Sequence, residues 1–458
     1  MTRTAGWLAL LTAASSCRGP VAPAAAPRGV WSYELEASAD ERELRVQATL
    51  PPSVTALRID DRTEAYVREV QVREGAGWRS VGARPSCRTG CVVRYRFLLG
   101  DAARAAADSD VAQAFDGAVV APASTWALHP SDAAALAIRI HWTGPGTFLS
   151  GAPPARDGAD ATFESIDSGL DDAPYSAFGP WRTRTETVAG QTLAIGIAPA
   201  ERAMDDDALA EWVRASAEPL AGYFGRLAAE RPLVLVVPAE GASIDGETLG
   251  GGGASVLLRV GKAVTAKVAR ESWVATHELV HANLPSFGYP HKWFEEGVAT
   301  YVEPVARIRA GTEPADALWN DLLENLPSGL PAVGDEGLEK THTWGRTYYG
   351  GALFCLIADI AIRVRTRGGK SLDDALRAIA GMGRGAAVQV DLGRALATGD
   401  AATGTDVLQG LYRSLAAAPG TVDLDAQWRA LGIARRQGGG LAYDDGAPLA
   451  WVRRAITP

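Results

Sequence analysis

The stretch HELVHANLPSFGYPHKWFEEG, His277 to Gly297, gathers three of the chain's six histidines and three carboxylates. The residues leading into it, AKVARESWVATHELVHANL, contain no glycine or proline, and Pro285 follows, which predicts one helix over 266–284. On a helix His277 and His281 stack one turn apart, with Cβ atoms roughly 6 Å from each other, so both imidazoles reach one ion. Glu278 lies about 100° round the axis. It misses the ion and faces the space beside it. There a carboxylate serves as general base for a water whose pKa zinc lowers to near 7. The spacing supports a single zinc ion on His277 and His281 with Glu278 as the base. A third ligand is missing from this helix, and Glu295 and Glu296 both follow within one short loop.

KWFEEGVATYVEPVARI reads as a second helix, with Phe294, Val298, Tyr301, Val302 and Val305 as its inward stripe. HExxH followed by an EGxAxY helix resembles the gluzincin metallopeptidases, most closely the glycyl-aminopeptidase family and its alanyl-aminopeptidase relatives. The resemblance implies that Glu296, just before the glycine, completes the zinc site. It also implies that Gly297 and Ala299 let the two helices approach closely and that Glu295 is a rim carboxylate. Residues 282–295, fourteen in all, separate His281 from Glu296. That is fewer than is usual in those families, which trims the substrate site without moving the ligand.

Two further segments extend the likeness over residues 185–380. THTWGRTYYGGALFCLIADIAIRVRTRGGKSLDDALRAI is similar to the glycyl-aminopeptidase helix that opens Tyr-x-x-Gly-Ala and closes in SLDD. The match implies that Tyr348 donates its phenol to the tetrahedral intermediate, with Tyr349 as the alternative one register on. A neutral donor stabilises oxyanion charge without competing for the metal. GETLGGGGASVLLRVG stands where related aminopeptidases have a glycine-rich edge strand that pairs with substrate, followed by a glutamate that grips the free amine. Carried over, Gly251, Gly252 and Gly253 are substrate-binding, because glycine leaves room for a second backbone. The glutamate after the run is absent, and Glu247 before it is the substitute. His291 and His342 are either cleft-lining or incidental loop histidines.

These groups need elements to hold them. Over 31–184 short alternating runs such as YELEAS, ELRVQATL, VREVQVRE, VVRYRFLL and LAIRIHW are separated by Gly, Pro and Asp clusters, which predicts an antiparallel, β-sandwich-like domain. His129 and His141 lie there without ligand-like neighbours. LSGAPPARDGADATFESIDSGLDDAPYS lacks periodicity and reads as a long surface loop. TLAIGIA and PLVLVVPA then read as strands around an amphipathic helix with an acidic start. They open a thermolysin-like catalytic domain over 185–310, with a mixed sheet and helices. Residues 311–458 read as a mainly helical portion with too few strands for a PDZ module. The fold class is α+β and multidomain.

The first seventeen residues, MTRTAGWLALLTAASSC, carry one positive charge at Arg3, an apolar core over 5–14 and small residues before Cys17. That is the anatomy of an export signal. AASSC resembles a bacterial lipobox, which implies lipidation of Cys17 and a membrane anchor in the cell envelope. A plain secretory signal to the periplasm or medium is the alternative. Residues 18–30, rich in proline and alanine, read as a tether. In an oxidising compartment CRTGC predicts a Cys87–Cys91 disulfide loop, and Cys355 is a buried thiol on an apolar helix.

A net charge of -9 and a pI near 5.3 argue against a nucleic-acid partner. Hydrophobic residues at 47 % and charged ones at 22 % describe a packed protein. The implied partner is a peptide or protein substrate, and nothing in the sequence sets an oligomeric state. The implied activity is that of an exported zinc metallopeptidase, aminopeptidase-like, with a zinc endopeptidase of the same fold as the alternative. A catalytically silent peptide-binding protein with structural zinc is the rival class. Glu278 speaks against it, since a structural site needs ligands and no base.

Overall fold

The computed structural model describes residues 30–38, 42–51, 57–86, 90–130, 136–167, 170 and 173–458. The expected signal with Cys17 and the cysteine at 87 lie outside the described residues. The N-terminal alternating runs form a seven-stranded sheet in the order Thr162–Asp167, Leu136–Trp142, Val30–Ala37, Leu44–Leu50, Cys91–Phe97, Val67–Glu74, Gly77–Ser80. Leu44–Leu50 alternates buried and exposed along its whole length, as a period of two demands. Trp31, Tyr33, Leu35, Val46, Tyr95, Phe97 and Trp126 fill the core beneath. Cys91 is disulfide-bonded. His129 and His141 are held within this part of the chain, by the Ala127 carbonyl (2.9 Å) and the Glu34 carboxylate (2.6 Å).

Two expectations are corrected here. Val30–Ala37 pairs in parallel with Leu136–Trp142, so the sheet is not purely antiparallel. The expected surface loop over 149–176 instead supplies the edge strand Thr162–Asp167, the end of Thr147–Ser150 and the start of Tyr175–Gly179. These strands are short and rich in small residues, so no period of two emerges from them. Thr147–Ser150 and Tyr175–Gly179 join Ala118–Pro122 and Gln113–Phe115 in a second sheet, wholly antiparallel. One face of it, with Val119, Ala121, Phe148 and Phe178, packs into the first core. The other, with Val120, Tyr175 and Ala177, packs on Ala194, Leu235 and Leu257 of a third sheet.

That third sheet carries the site. Its order is Arg182–Val188, Gln191–Ile197, Leu233–Ala239, Ser255–Gly261, Ile244–Leu249. The two inner pairings are parallel and the outer two antiparallel. Leu233–Ala239 sits at the centre with both faces covered, which is why LVLVV is a continuous apolar run. The helix Asp206–Phe224 covers the face opposite the second sheet, capped by the Asp205 side chain on the Ala208 N–H and ended by Gly225 at φ 82°. The helices that follow share one core with this sheet, running from Val188 to Ile456.

Three of those helices matter for the site: Val274–Asn283, Lys292–Arg309 and Gly351–Thr366. A Cβ at Gly297 would lie 2.2 Å from the Cα of Gly351. The close approach that Gly297 permits is therefore to the third helix and not, as expected, to the histidine helix. Tyr301 donates to Asp359 across the same interface (3.0 Å), and Asp359 in turn accepts from Arg363 and from the Leu372 N–H. Between Leu392 and Ile456 the described residues form helices and one two-stranded hairpin, Ile433–Arg435 with Leu441–Tyr443.

Candidate active site

The expected single helix over 266–284 is two. Ala266–Glu271 ends at Ser272, which turns to extended backbone, and Val274–Asn283 begins two residues on. The Ser272 hydroxyl accepts from the Val274 N–H (3.3 Å), a local bond that competes with the helical ladder. The break leaves Trp273 half exposed with its ring edge-on to His277, centroids 5.0 Å apart. The spacing of four between the histidines survives, because both lie on the second helix.

His277 Nε2 and His281 Nε2 stand 3.3 and 3.4 Å from the same oxygen, Oε2 of Glu296. Ligand atoms 2.0–2.1 Å from a tetrahedral zinc are about 3.3 Å from one another, so these separations would fit a zinc ion. Among the described residues these three form the one cluster of this kind found, with all ligand atoms within 4.8 Å. His277 and Glu296 are buried. Burial pushes the Glu296 carboxyl up, but His281, His277 and Lys292 outweigh it and hold it well below the usual carboxylate range. Lys292, one turn earlier on the same helix, places Nζ 3.2 Å from the other oxygen, Oε1. The carboxylate is thus ionised and one of its oxygens is turned to the histidines, as a metal ligand requires. Glu295 does different work. Its Oε1 accepts from the Ser286 hydroxyl (3.1 Å) and the Phe287 N–H (2.6 Å), which clamps the short loop between the two helices.

The cluster opens on a cavity of ≈ 610 Å³. Glu278 and Tyr348 both line it, together with the whole strand Ile244–Leu249, the outer strand of its sheet. Two residues of that strand position Glu278, and sequence reasoning missed both. Thr248 Oγ1 lies 2.8 Å from Glu278 Oε2 and 2.9 Å from its backbone carbonyl, so its one hydrogen serves either oxygen. Two residues earlier, on the same face of the strand, a Cβ at Gly246 would meet Glu278 Cγ at 2.6 Å. Gly246→Ala is therefore expected to push Glu278 aside, lowering kcat by at least about 10-fold while zinc content stays at the wild-type level. Peptide hydrolysis alongside metal analysis checks both halves of that statement.

Tyr348 and Tyr349 sit in a π-helical turn, Arg346–Gly350, that feeds into Gly351–Thr366. Such turns re-aim side chains and recur at functional sites. Tyr349 is buried and donates to Asp321 (3.0 Å). Tyr348 is half buried on the metal cavity beside Trp344. Burial, Glu296 and Glu278 raise its phenol against the pull of Lys292, so it remains a protonated donor at neutral pH. Removing that donor in Tyr348→Phe is expected to lower kcat about 10²–10³-fold with bound zinc unchanged. Steady-state kinetics with metal analysis is the check.

The remaining candidates are not brought to the His277–His281–Glu296 cluster. The Gly251 and Gly252 N–H groups donate to the carbonyls of Ala386 and Ala387 (2.9 and 2.8 Å), and Gly253 packs on the backbone at Gly151. The run lets the chain approach its own segments at Gly151 and at Ala386–Ala387, and of the run only Gly250 reaches the cavity. Glu247 lines the cavity but is already engaged, its Oε2 accepting from Tyr175 (3.0 Å) and Arg259 (3.1 Å). His291 bonds Glu339 (2.9 Å) and the His342 ring lies tilted 6.1 Å from that of Tyr289; neither lines the cavity. Cys355 is buried and free.

No family model matches the chain, and no curated protein matches it in sequence. Solved structures do share its fold. An aminopeptidase N family protein from Idiomarina loihiensis is 12 % identical with a TM-score of 0.65, over 89 % of this chain and 79 % of that one. A variant of the M1 zinc metallopeptidase from Deinococcus radiodurans is 18 % identical with a TM-score of 0.51, over 84 % and 93 %. Yeast LTA4 hydrolase is 14 % identical with a TM-score of 0.53, over 86 % and 68 %. At these identities the likeness is one of fold: the chain is a mixed α+β, multidomain protein built like the M1 zinc metallopeptidases.

Proposed function

We propose that this chain is an exported zinc-dependent peptidase, aminopeptidase-like in action. In this reading it is held at the cell envelope by a lipid on Cys17, or is released if the leader is a plain secretory signal. One observation carries the enzymatic reading. Three ligand atoms at the spacing of a zinc site share a cavity with a carboxylate, a phenol and the outer edge of a sheet. The D. radiodurans metallopeptidase with this fold is known in complex with a Tyr-Ser-Ala substrate, which supports a peptide as the occupant here.

His277, His281 and Glu296 would hold the ion. Zinc supplies Lewis acidity, which lowers the pKa of a water and polarises a carbonyl. The edge of Ile244–Leu249 offers backbone N–H and C=O groups that pair with an extended peptide. Glu278, aimed by Thr248 and given room by Gly246, takes the proton of the attacking water and returns it to the leaving amine. Tyr348 donates its phenolic hydrogen to the oxyanion.

The engagement of Glu247 with Tyr175 and Arg259 favours a second reading in one respect, since a carboxylate so bound is a poor grip for a free amine. A zinc endopeptidase of the same fold needs no such grip. Free and N-acetylated peptides, presented to chelator-stripped protein and again after one equivalent of zinc, separate these readings. Zinc-restored removal of N-terminal residues from free peptides alone supports the aminopeptidase. Cleavage of acetylated peptides at internal bonds replaces it with the endopeptidase. Zinc uptake without cleavage of any peptide in a broad library leaves a binding protein.

A further inference from the structure

Next to the cavity of the three proposed ligands lies a second one, of ≈ 460 Å³, and the two share three residues, Trp273, His277 and Tyr348. Its mouth is aromatic. Trp273 and Trp344 are 52 % and 63 % exposed, more than rings of that size need to be, and Trp344 leans over Tyr348 at 5.6 Å. Its walls bear Glu271, Glu303, Glu313 and Asp321 against a single guanidinium, Arg307. That guanidinium is fully engaged, bonding Glu303 at 2.9 Å and Glu313 at 2.7 Å. The hydroxyl of Thr300, on the same wall, is buried with no hydrogen-bond partner. Burial pushes Glu303 up to about 7, with Arg307 pulling against it and Glu313 and Asp321 adding to it. A site with tryptophan faces at its entrance and surplus carboxylate within selects for cations.

Resting on the peptidase reading above, we propose that this cavity is a substrate subsite that takes a lysine or arginine side chain next to the scissile bond. Trp273, His277 and Tyr348 line both cavities, and in this reading a peptide lying along Ile244–Leu249 places one side chain across that shared rim. The ammonium or guanidinium then meets Asp321 Oδ2 and Glu313 Oε1, the oxygens opposite those bound by Tyr349 and by an Arg307 already shared with Glu303, while its methylene stem lies against Trp344.

The test uses alanine pentapeptides that carry one lysine, norleucine or glutamate at each position in turn. Wild-type protein is compared with Asp321→Asn, Glu313→Gln and Trp344→Leu. At one position the ratio of kcat/KM for lysine over norleucine should exceed about 10, a single-charge preference. Each variant should lower that ratio, whatever it does to the basal rate. A ratio near one at every position, or a preference that none of the variants moves, overturns the proposal. If no peptide is cut, the peptidase reading fails by itself. Calorimetric binding of the same peptides to zinc-loaded Glu278→Gln protein then decides: a variant-sensitive lysine preference upholds the cation cavity, and none refutes it.

Discussion

Glu278→Gln is expected to bind zinc as the wild-type protein does and to lose about 10²–10⁴-fold in kcat, the range that a positioned general base contributes. The substitution is nearly isosteric. Its amide oxygen can still accept from Thr248, and its Cγ still fits against Gly246. Glu278 is not among the three ligand residues, so metal retention follows from the geometry. The change therefore removes one proton acceptor and little else. Single-turnover rates with zinc measured on the same samples are the check. Retention of more than about a tenth of wild-type kcat would mean that another group takes the proton. Among the described residues the other glutamates on the cavity, besides the ligand Glu296, are Glu295, engaged with Ser286 and Phe287, and Glu247, engaged with Tyr175 and Arg259.

The second large effect is in packing. Gly297→Ala is expected to destabilise the catalytic part by about 1–3 kcal/mol or more, the cost of forcing atoms into a filled interior. The new Cβ would stand 2.2 Å from Gly351 Cα and 2.3 Å from its carbonyl carbon. From the other side, a Cβ on Gly351 would stand 2.1 Å from the Trp293 carbonyl oxygen. Carbon atoms in contact sit about 3.5–4.0 Å apart, so backbone must move, since no flexible side chain stands there to yield. The helix that moves is the one carrying Glu296. A weakened zinc affinity should accompany the lower urea midpoint, and Gly351→Ala should reproduce both. Gly222→Ala is the control. It lies within the exposed face of Asp206–Phe224 with nothing within 4 Å of its added Cβ, and should be neutral or stabilising by up to about 1 kcal/mol.

What the sequence made legible was the chemistry set by local spacing. His277, Glu278 and His281 are ordered by one helical turn, and that turn is present even though the helix around it breaks at Ser272. Glu296 rested on the resemblance of its glutamate–glycine step to the gluzincin motif, not on spacing alone, and the structure brings it to both imidazoles. Thr248 and Gly246 were not legible. Their role depends on the strand Ile244–Leu249 lying outside Ser255–Gly261, which follows it in the chain, and no local pattern encodes that order. The glycine run illustrates the same limit. Glycines announce that another backbone comes close, but not whose, and here it is the chain's own segment at Ala386 and Ala387. In the β part, long alternating runs gave their strands away. Thr162–Asp167 did not, because it is short and flanked by glycine, proline and aspartate.

Zinc binding by His277, His281 and Glu296 is the most direct point of test. X-ray absorption at the zinc edge, on protein reconstituted with one equivalent, reads the ligand set without reference to any substrate. It should show one zinc per chain, with two imidazole nitrogens and carboxylate oxygen at about 2.0–2.2 Å. In Glu296→Ala protein the carboxylate contribution should disappear and the affinity fall sharply. A chain that takes up no zinc, or one whose zinc keeps the same ligand shell and affinity after Glu296→Ala, would contradict the account at its centre.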